Sequence, residues 1–223
     1  EMALVTYLQA RAYGKDLALL PAAMLGRFQH HCMLHNVERG PLTPADLAGK
    51  RIGVRSYSQT TAVWLRGILQ NDYGIDMNSV RWITYEDGHV AEAIDPPFAE
   101  RAPSGSDMTK MLIDGEIDAA IYGAAMPDDP RLQSVVPDPH AAAQAWYRQH
   151  GVAPVNHMVV VKGELARQQP ETVAKLYHLL EAGKAAAGPQ REGGVDTVPF
   201  GCDANRACLE MLMSYAVQQQ LIP

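Results

Sequence analysis

The middle of the chain alternates short apolar strands with helical stripes, and this pattern limits the folds open to it more than any other feature. Arg51-Ile52-Gly53-Val54-Arg55 reads as a strand, a Ser/Gln/Thr cluster follows, and residues 60–70 carry helical spacing until Asn71-Asp72-Tyr73-Gly74 stops them. Residues 80–85 supply the next strand. Met108, Met111 and Leu112 mark a short helix ending at Gly115, and residues 117–122 form a buried apolar strand. Strands that alternate with helices predict an α/β fold with a parallel sheet of βα units.

The flanks read differently. Ala3, Leu4, Tyr7 and Leu8 predict a helix over 1–12, and residues 17–25 predict a strand interrupted by Pro21. An extended piece over 31–36 and a loop over 41–49 with a helical turn at 45–48 complete the first part. Residues 86–105, rich in Pro, Gly and Asp, read as one long loop, a kind of segment that is often functional. A helix is expected over 141–150 and a β-branched strand over 155–162. Val173, Leu176, Tyr177 and Leu180 behind Pro170, then Leu209, Leu212, Met213 and Ala216, predict two scaffold helices.

Composition narrows the partners. The 223 residues carry a net charge of −6 with scattered basic residues, which argues against binding a phosphate backbone. No apolar run of about 18 residues is present, so no membrane span is expected. Cys32, Cys202 and Cys208 have no metal-ligand spacing, and their odd number argues against a disulfide framework. Glu1 falls inside what reads as an element, so the native start and any signal peptide are expected to lie outside this sequence, and oligomeric state is left open.

The polar run Arg55-Ser56-Tyr57-Ser58-Gln59-Thr60-Thr61 is the most informative stretch. It sits where a strand meets a helix, and the unpaired N–H groups and dipole of a helix start favour a carboxylate, phosphate or sulfonate. A purely structural account makes Ser58 or Thr60 an N-cap, worth about 1 kcal/mol; four consecutive polar residues, Ser58, Gln59, Thr60 and Thr61, favour a ligand. Arg27, Arg55, Arg66 and Arg101 are candidate carboxylate forks, with only Arg55 beside this cradle.

The histidines come next. His31 and His35 would share a strand face roughly 13 Å apart at about 3.3 Å per residue, too far for one ion, so no metal site is expected. His30 and Cys32 could approach each other, as a surface imidazole beside a buried thiol. Asn156 and His157 open an otherwise apolar strand, where burying an imidazole and an amide requires polar partners, either a ligand or neighbouring backbone. No nucleophile elbow, zinc helix, dinucleotide turn or P-loop occurs, so no cofactor is expected.

Leu47-Ala48-Gly49-Lys50-Arg51-Ile52-Gly53-Val54, Gly115-Glu116-Ile117-Asp118-Ala119-Ala120-Ile121 and the strand Met158 to Lys162 leading to Pro170 resemble the type II periplasmic-binding-protein fold. Thr61-Ala62-Val63-Trp64-Leu65-Arg66-Gly67-Ile68-Leu69-Gln70, the stretch from Tyr147-Arg148 to His157, and Pro199-Phe200-Gly201 with Ala204-Asn205-Arg206 resemble the 4,5-dihydroxyphthalate decarboxylase family. The similarity covers nearly the whole chain. Arg55, where proline is expected in that family, and the absence of a first βα segment are departures.

The resemblance implies a two-lobed α/β protein with mixed sheets flanked by helices. One lobe would be 1–44 with 156–223 and the other 45–155, with strands 31–36 and 155–162 as a hinge. A small anionic or aromatic ligand would be held in the cleft by Arg55, Ser58, Gln59, Thr60, Thr61, His30 and Asn156. His157, with His31 as counterpart, would transfer protons in a non-oxidative decarboxylation. The alternative implied by the fold is a solute-binding protein serving a transporter or sensor. The enzyme would be cytoplasmic and the binding protein periplasmic.

Overall fold

The chain builds part of one unit, then a complete second unit, and returns to the first. The structure, a computed structural model, describes residues 1–188 and 190–223. Its contacts divide it into Glu1–Phe28 with His150–Pro223 and Gln29–Gln149. The first unit begins with β1 (Met2–Ala3), helix α1 (Leu4–Ala12) and β2 (Leu17–Gly26).

The second unit contains β3 (Met33–Asn36), β4 (Arg51–Val54), α2 (Thr60–Asp72), β5 (Arg81–Thr84), β6 (Ala99–Arg101), α3 (Met108–Asp114), β7 (Ala119–Ile121), β8 (Leu132–Ser134) and α4 (Pro139–His150). Its six strands lie in the order β6-β5-β4-β7-β3-β8. β4 pairs in parallel with β5 and β7, β5 in parallel with β6, and β3 runs antiparallel to β7 and β8. The central strands are covered on both faces, which is why they read as continuous apolar runs: Ile52, Val54, Trp82, Ile83, Ala119, Ala120 and Ile121 are all at most 1 % exposed. Helix α3 stops where the sequence places its end, because Gly115 takes the left-handed conformation (φ 78°) that favours glycine.

In the second unit, β6 and β8 escaped the sequence reading. β6 lies inside the segment expected to be a loop, and Ala99, Glu100 and Arg101 pair with Trp82, Ile83 and Thr84. Two of its three residues are charged and all are exposed or half-buried, as at a sheet edge, so no hydrophobic signature announces it. β8 is equally short and also terminal in the sheet. The expected turn at 45–48 is a 3-10 turn at Pro44–Asp46, where Asp46 accepts the Thr43 backbone N–H at 2.9 Å and hydroxyl at 2.7 Å.

On return to the first unit, β9 (Val155–Lys162) runs antiparallel between β1 and β2. β2 continues through Pro21, but its register with β9 shifts between Leu19 and Ala23, the place where proline supplies no N–H to the ladder. Then follow α5 (Gly163–Gln168), α6 (Pro170–Ala187), β10 (Arg191–Glu192), β11 (Val195–Asp196) and α7 (Cys202–Gln218). Pro170 opens α6 as expected. Helix α7 buries Asn205, Cys208, Leu212, Tyr215 and Ala216, and Met213 from the predicted stripe stays 41 % exposed.

The chain passes between units at 28/29 and 149/150, ahead of the expected 44/45 and 155/156. Pairing explains the difference: β3 is held between β7 and β8, so the segment before β4 belongs to the second unit. The two strands read as a hinge thus sit each within one unit's sheet, β3 in the second and β9 in the first.

Gly26 pairs with Val155 at the end of β2, and a Cβ there would overlap the Thr197 carbonyl oxygen and lie 3.0 Å from that of Pro154. Both obstacles are backbone and cannot swing away. Gly26→Ala is expected to cost about 1–3 kcal/mol of stability, as overpacking does, read as a lower urea midpoint at unchanged slope; an unaltered midpoint would show that the close approach is relieved cheaply.

Candidate functional site

The order of the strands marks one edge of the second unit's sheet. The chain leaves β4 through α2 and lands on one side of it, at β5; it then returns through α3 to the other side, at β7. Connections that depart in opposite directions open a crevice at the carboxyl ends of the two strands, where open α/β sheets bind ligands. The segment after β4 is residues 55–59, and the segment after β7 is Tyr122 and Gly123. The Tyr122 N–H donates to the Cys32 carbonyl at 2.8 Å, which brings the residues before antiparallel β3 to the same edge. The backbone of Arg55, Ser58, Gln59, Thr60, Thr61, His30 and His31 is thus collected along one sheet edge.

The start of α2 separates the two accounts of the polar run. Its N-cap is Gln59 (φ −57°, ψ 127°), whose side chain makes no capping hydrogen bond, so neither Ser58 nor Thr60 is the cap. Ser58, Thr60 and Thr61 are nevertheless buried. Two neighbouring loops press on this turn through glycines: a Cβ at Gly88 would lie 3.2 Å from Ser58 Oγ, and one at Gly123 would lie 3.1 Å from Gln59 Nε2. Hydroxyls are thus gathered at the positive end of a thirteen-residue helix, an arrangement whose dipole favours negative charge.

Arg66 fixes the turn from behind. It is fully buried, a correction to its reading as a carboxylate fork, and its Nη2 donates to the Tyr57 carbonyl at 2.6 Å. The guanidinium lies 4.0 Å from the centre of the Tyr57 ring and 5.0 Å from that of Trp82. Burial pushes its pKa down, and burial pushes Asp95 up while the nearby Arg66 charge opposes the rise. Tyr57 also meets Phe98 edge-on at 5.8 Å. Asp95 and Phe98 so tie residues 86–98 to α2. Between these residues and the β5–β6 edge lies a cavity of about 610 Å³, lined by Thr84, Asp87, Gly88, His89, Asp95 and Arg101 among others. Sequence reasoning missed Arg66 in this role; it lies within ten successive buried residues, 60–69.

The other arginines are engaged locally. Arg55 is exposed, with its Nε 3.6 Å from Glu86 Oε2, and Arg101 pairs with Asp87. Arg27 lies in the first unit, where its backbone N–H donates to the Pro154 carbonyl at 3.1 Å.

The histidines separate by environment. His30 is 1 % exposed, neither ring nitrogen has a hydrogen-bond partner among the described residues, and its ring meets Trp146 edge-on at 6.1 Å. Trp146 Nε1 in turn donates to Asp72 at 2.9 Å. Burial pulls the His30 pKa down to about 4, against the opposing charge of Asp72, so the ring is neutral. His31 is half-buried, and its Nε2 lies 3.7 Å from Cys32 Sγ, so His31 and not His30 approaches the thiol. Asn156 and His157 both lie on β9 in the first unit. Asn156 is buried as expected, but the His157 side chain is 33 % exposed, with Nδ1 3.3 Å from Glu1 Oε1.

No family model matches the chain. Among curated proteins it is 33 % identical over 200 residues to a 4,5-dihydroxyphthalate decarboxylase of Comamonas testosteroni, covering 84 % of this chain and 60 % of that protein. It is also 33 % identical over 161 residues to the protein of the same name from Pseudomonas putida, covering 66 % of this chain and 62 % of that one. The chain is a sequence relative of the 4,5-dihydroxyphthalate decarboxylases. It spans about three fifths of the length of these relatives. Among solved structures, the alkanesulfonate-binding protein SsuA from Xanthomonas axonopodis pv. citri, bound to MOPS, matches with a TM-score of 0.53 at 17 % identity, covering 99 % of this chain and 75 % of that one. The fold is that of the type II periplasmic binding proteins, as the sequence implied. No helix among the described residues is long and apolar enough to cross a membrane.

Because the folded-state pKa of His30 lies below its unfolded value, the unfolded chain binds the extra proton first as pH falls. Stability is expected to be unaffected by this group above about pH 6.5 and to drop by up to about 3 kcal/mol between pH 6.5 and 4. Denaturant unfolding across that window is the measurement. His30→Phe should flatten this part of the profile, and an unchanged slope in the variant would assign the loss to other groups.

Proposed function

We propose that this protein is a non-oxidative decarboxylase of a dihydroxylated aromatic acid of the 4,5-dihydroxyphthalate type. The observation that carries the reading is the hydroxyl-lined start of α2 at the carboxyl edge of the sheet, in a chain whose curated relatives bear the name of that reaction. The substrate class offers two carboxylates. One is retained and needs a fixed anion site; the other leaves as CO₂.

The retained carboxylate would sit at the α2 N-terminus, hydrogen-bonded by Ser58, Gln59, Thr60 and Thr61, with Arg55 adding positive charge nearby. A base removes the proton of the ring hydroxyl para to the departing carboxylate, and the electron density this releases makes the carbon bearing that group basic. That carbon takes a proton, the bond to the carboxylate breaks, and its electron pair restores the aromatic ring. His31 is the proposed base, being the half-buried imidazole at this edge. His157, on β9 of the first unit, is the second histidine proposed for proton transfer, and Asn156 beside it is a proposed binding residue.

One observation favours a second reading, binding of a small organic anion without turnover. His30, adjacent in sequence to His31, is sealed in the core and held neutral, so it is not the partner of His31 in proton transfer.

The test is to incubate the protein with 4,5-dihydroxyphthalate and follow CO₂ release together with the ultraviolet spectrum of the aromatic product. Release proportional to protein concentration is expected. Thr61→Val should raise KM about tenfold, the scale of one hydrogen bond to a charged group, while His31→Gln and His157→Gln should each lower kcat by about 10²-fold or more. Absence of CO₂ release overturns the decarboxylase reading. A ligand-dependent rise in Tm in that case would establish the binding reading instead.

A further inference from the structure

Next to the candidate site runs a short hydrogen-bond chain whose direction its chemistry fixes. Cys32 is fully buried; its Sγ donates to Gln29 Oε1 at 3.7 Å and lies 3.7 Å from His31 Nε2. An amide oxygen only accepts, and a thiol has a single proton. With that proton directed at Gln29, the sulfur meets His31 with lone pairs alone, so the proton between them must belong to the imidazole. From this geometry we infer that Cys32 holds His31 as the Nε2–H tautomer and leaves Nδ1 as its basic nitrogen.

The partner groups support a fixed arrangement. Gln29 and Cys32 are both fully buried, so the thiol and the amide that accepts its proton are both out of solvent. Cys32 is anchored by its own backbone: its N–H donates to the Gln29 carbonyl at 2.9 Å, and its carbonyl accepts the Tyr122 N–H at 2.8 Å. The thiol therefore stands at a position set by β7 and by the turn before β3, and His31 is the half-buried member of the chain. Which imidazole nitrogen carries the proton is set by the hydrogen bond made by the other ring edge. Cys32 is on this account a positioning residue: it acts through His31 and itself touches no reacting atom.

For catalysis the inference rests on the decarboxylase reading, because it names Nδ1 of His31 as the atom that takes the hydroxyl proton. The tautomer itself does not rest on it. The test therefore has two arms. In the first, the full chain carries ring-¹⁵N-labelled histidine, and the His31 resonances are assigned by their loss in His31→Gln. The expected spectrum above pH 7 shows a protonated Nε2 and an unprotonated Nδ1. An Nδ1–H tautomer in the wild-type protein overturns the inference, and that spectrum decides the question even if a substitution at buried Cys32 fails to fold. Cys32→Val, close in volume and without a donor or acceptor, should mix the two tautomers, while Cys32→Ser should keep the wild-type one; a valine variant with the wild-type spectrum also overturns it.

In the second arm, Cys32→Val should lower kcat for 4,5-dihydroxyphthalate by about tenfold to a hundredfold at unchanged KM, within the range of general acid–base effects, and Cys32→Ser should recover most of it. An equal kcat in wild type and the valine variant overturns the positioning role. If the first arm gives the expected tautomer and no CO₂ is released by any form, the decarboxylase reading fails and the tautomer stands.

Discussion

The guanidinium of Arg66 is fully out of water, and the geometry of the candidate site follows from how that charge is accommodated. Burying an ion costs several kcal/mol unless its donors and its charge are met. Here the Tyr57 carbonyl takes one donor, the faces of Tyr57 and Trp82 take the plane, and Asp95 supplies opposing charge. Each partner comes from a different segment: the turn after β4, the strand β5, and residues 86–98. Satisfying one cation thus fixes the turn that carries Ser58 and Gln59 relative to the helix start and to the loop that brings Gly88 against Ser58.

Strand order supplies the rest. Because the chain leaves β4 toward β5 and leaves β7 in the opposite direction, the carboxyl ends of β4 and β7 form a switch point of the kind at which open α/β sheets bind ligands. Antiparallel β3 then adds what a purely parallel sheet would not: its beginning, not its end, lies at that edge. His31 and Cys32 are delivered to the site by that reversal, beside Tyr122. A parallel strand in the same place would have brought its carboxyl-terminal residues there instead.

How far the sequence could be read follows the same physics. Strands buried on both faces announce themselves, so β4 and β7 were legible, and the β-branched run of the partly buried β9 made it legible to the residue. β6 and β8 were not, because a three-residue edge strand is stabilised by backbone pairing that leaves no apolar pattern. The polar cluster at 58–61 was legible as a candidate anion site because the unpaired N–H groups and dipole of a helix start favour negative charge. Arg66 was misread because arginine is usually solvated, and only its partners, distant in sequence, show that this one is not. The unit boundary was misplaced for a related reason: the pairing of β3 with β7 joins residues about ninety apart, which no local pattern records.

His30, His31 and His157 show why residue type alone could not assign chemistry. Taken as letters they are equivalent, and two of them are adjacent. His30 faces Trp146 in the core and is held neutral by loss of water. His31, one residue on, turns its Nε2 to a buried thiol and remains half-accessible. His157 sits on a strand whose side chains alternate, so Asn156 takes the buried position and the imidazole faces the carboxylate of Glu1. The proton-handling capacity of each ring depends on its surroundings: desolvation removes it from His30, and a buried thiol faces the Nε2 of His31. In the turn before β3, one step along the backbone therefore separates a core histidine from a candidate base, and the sheet edge at β7 determines which of the two is which.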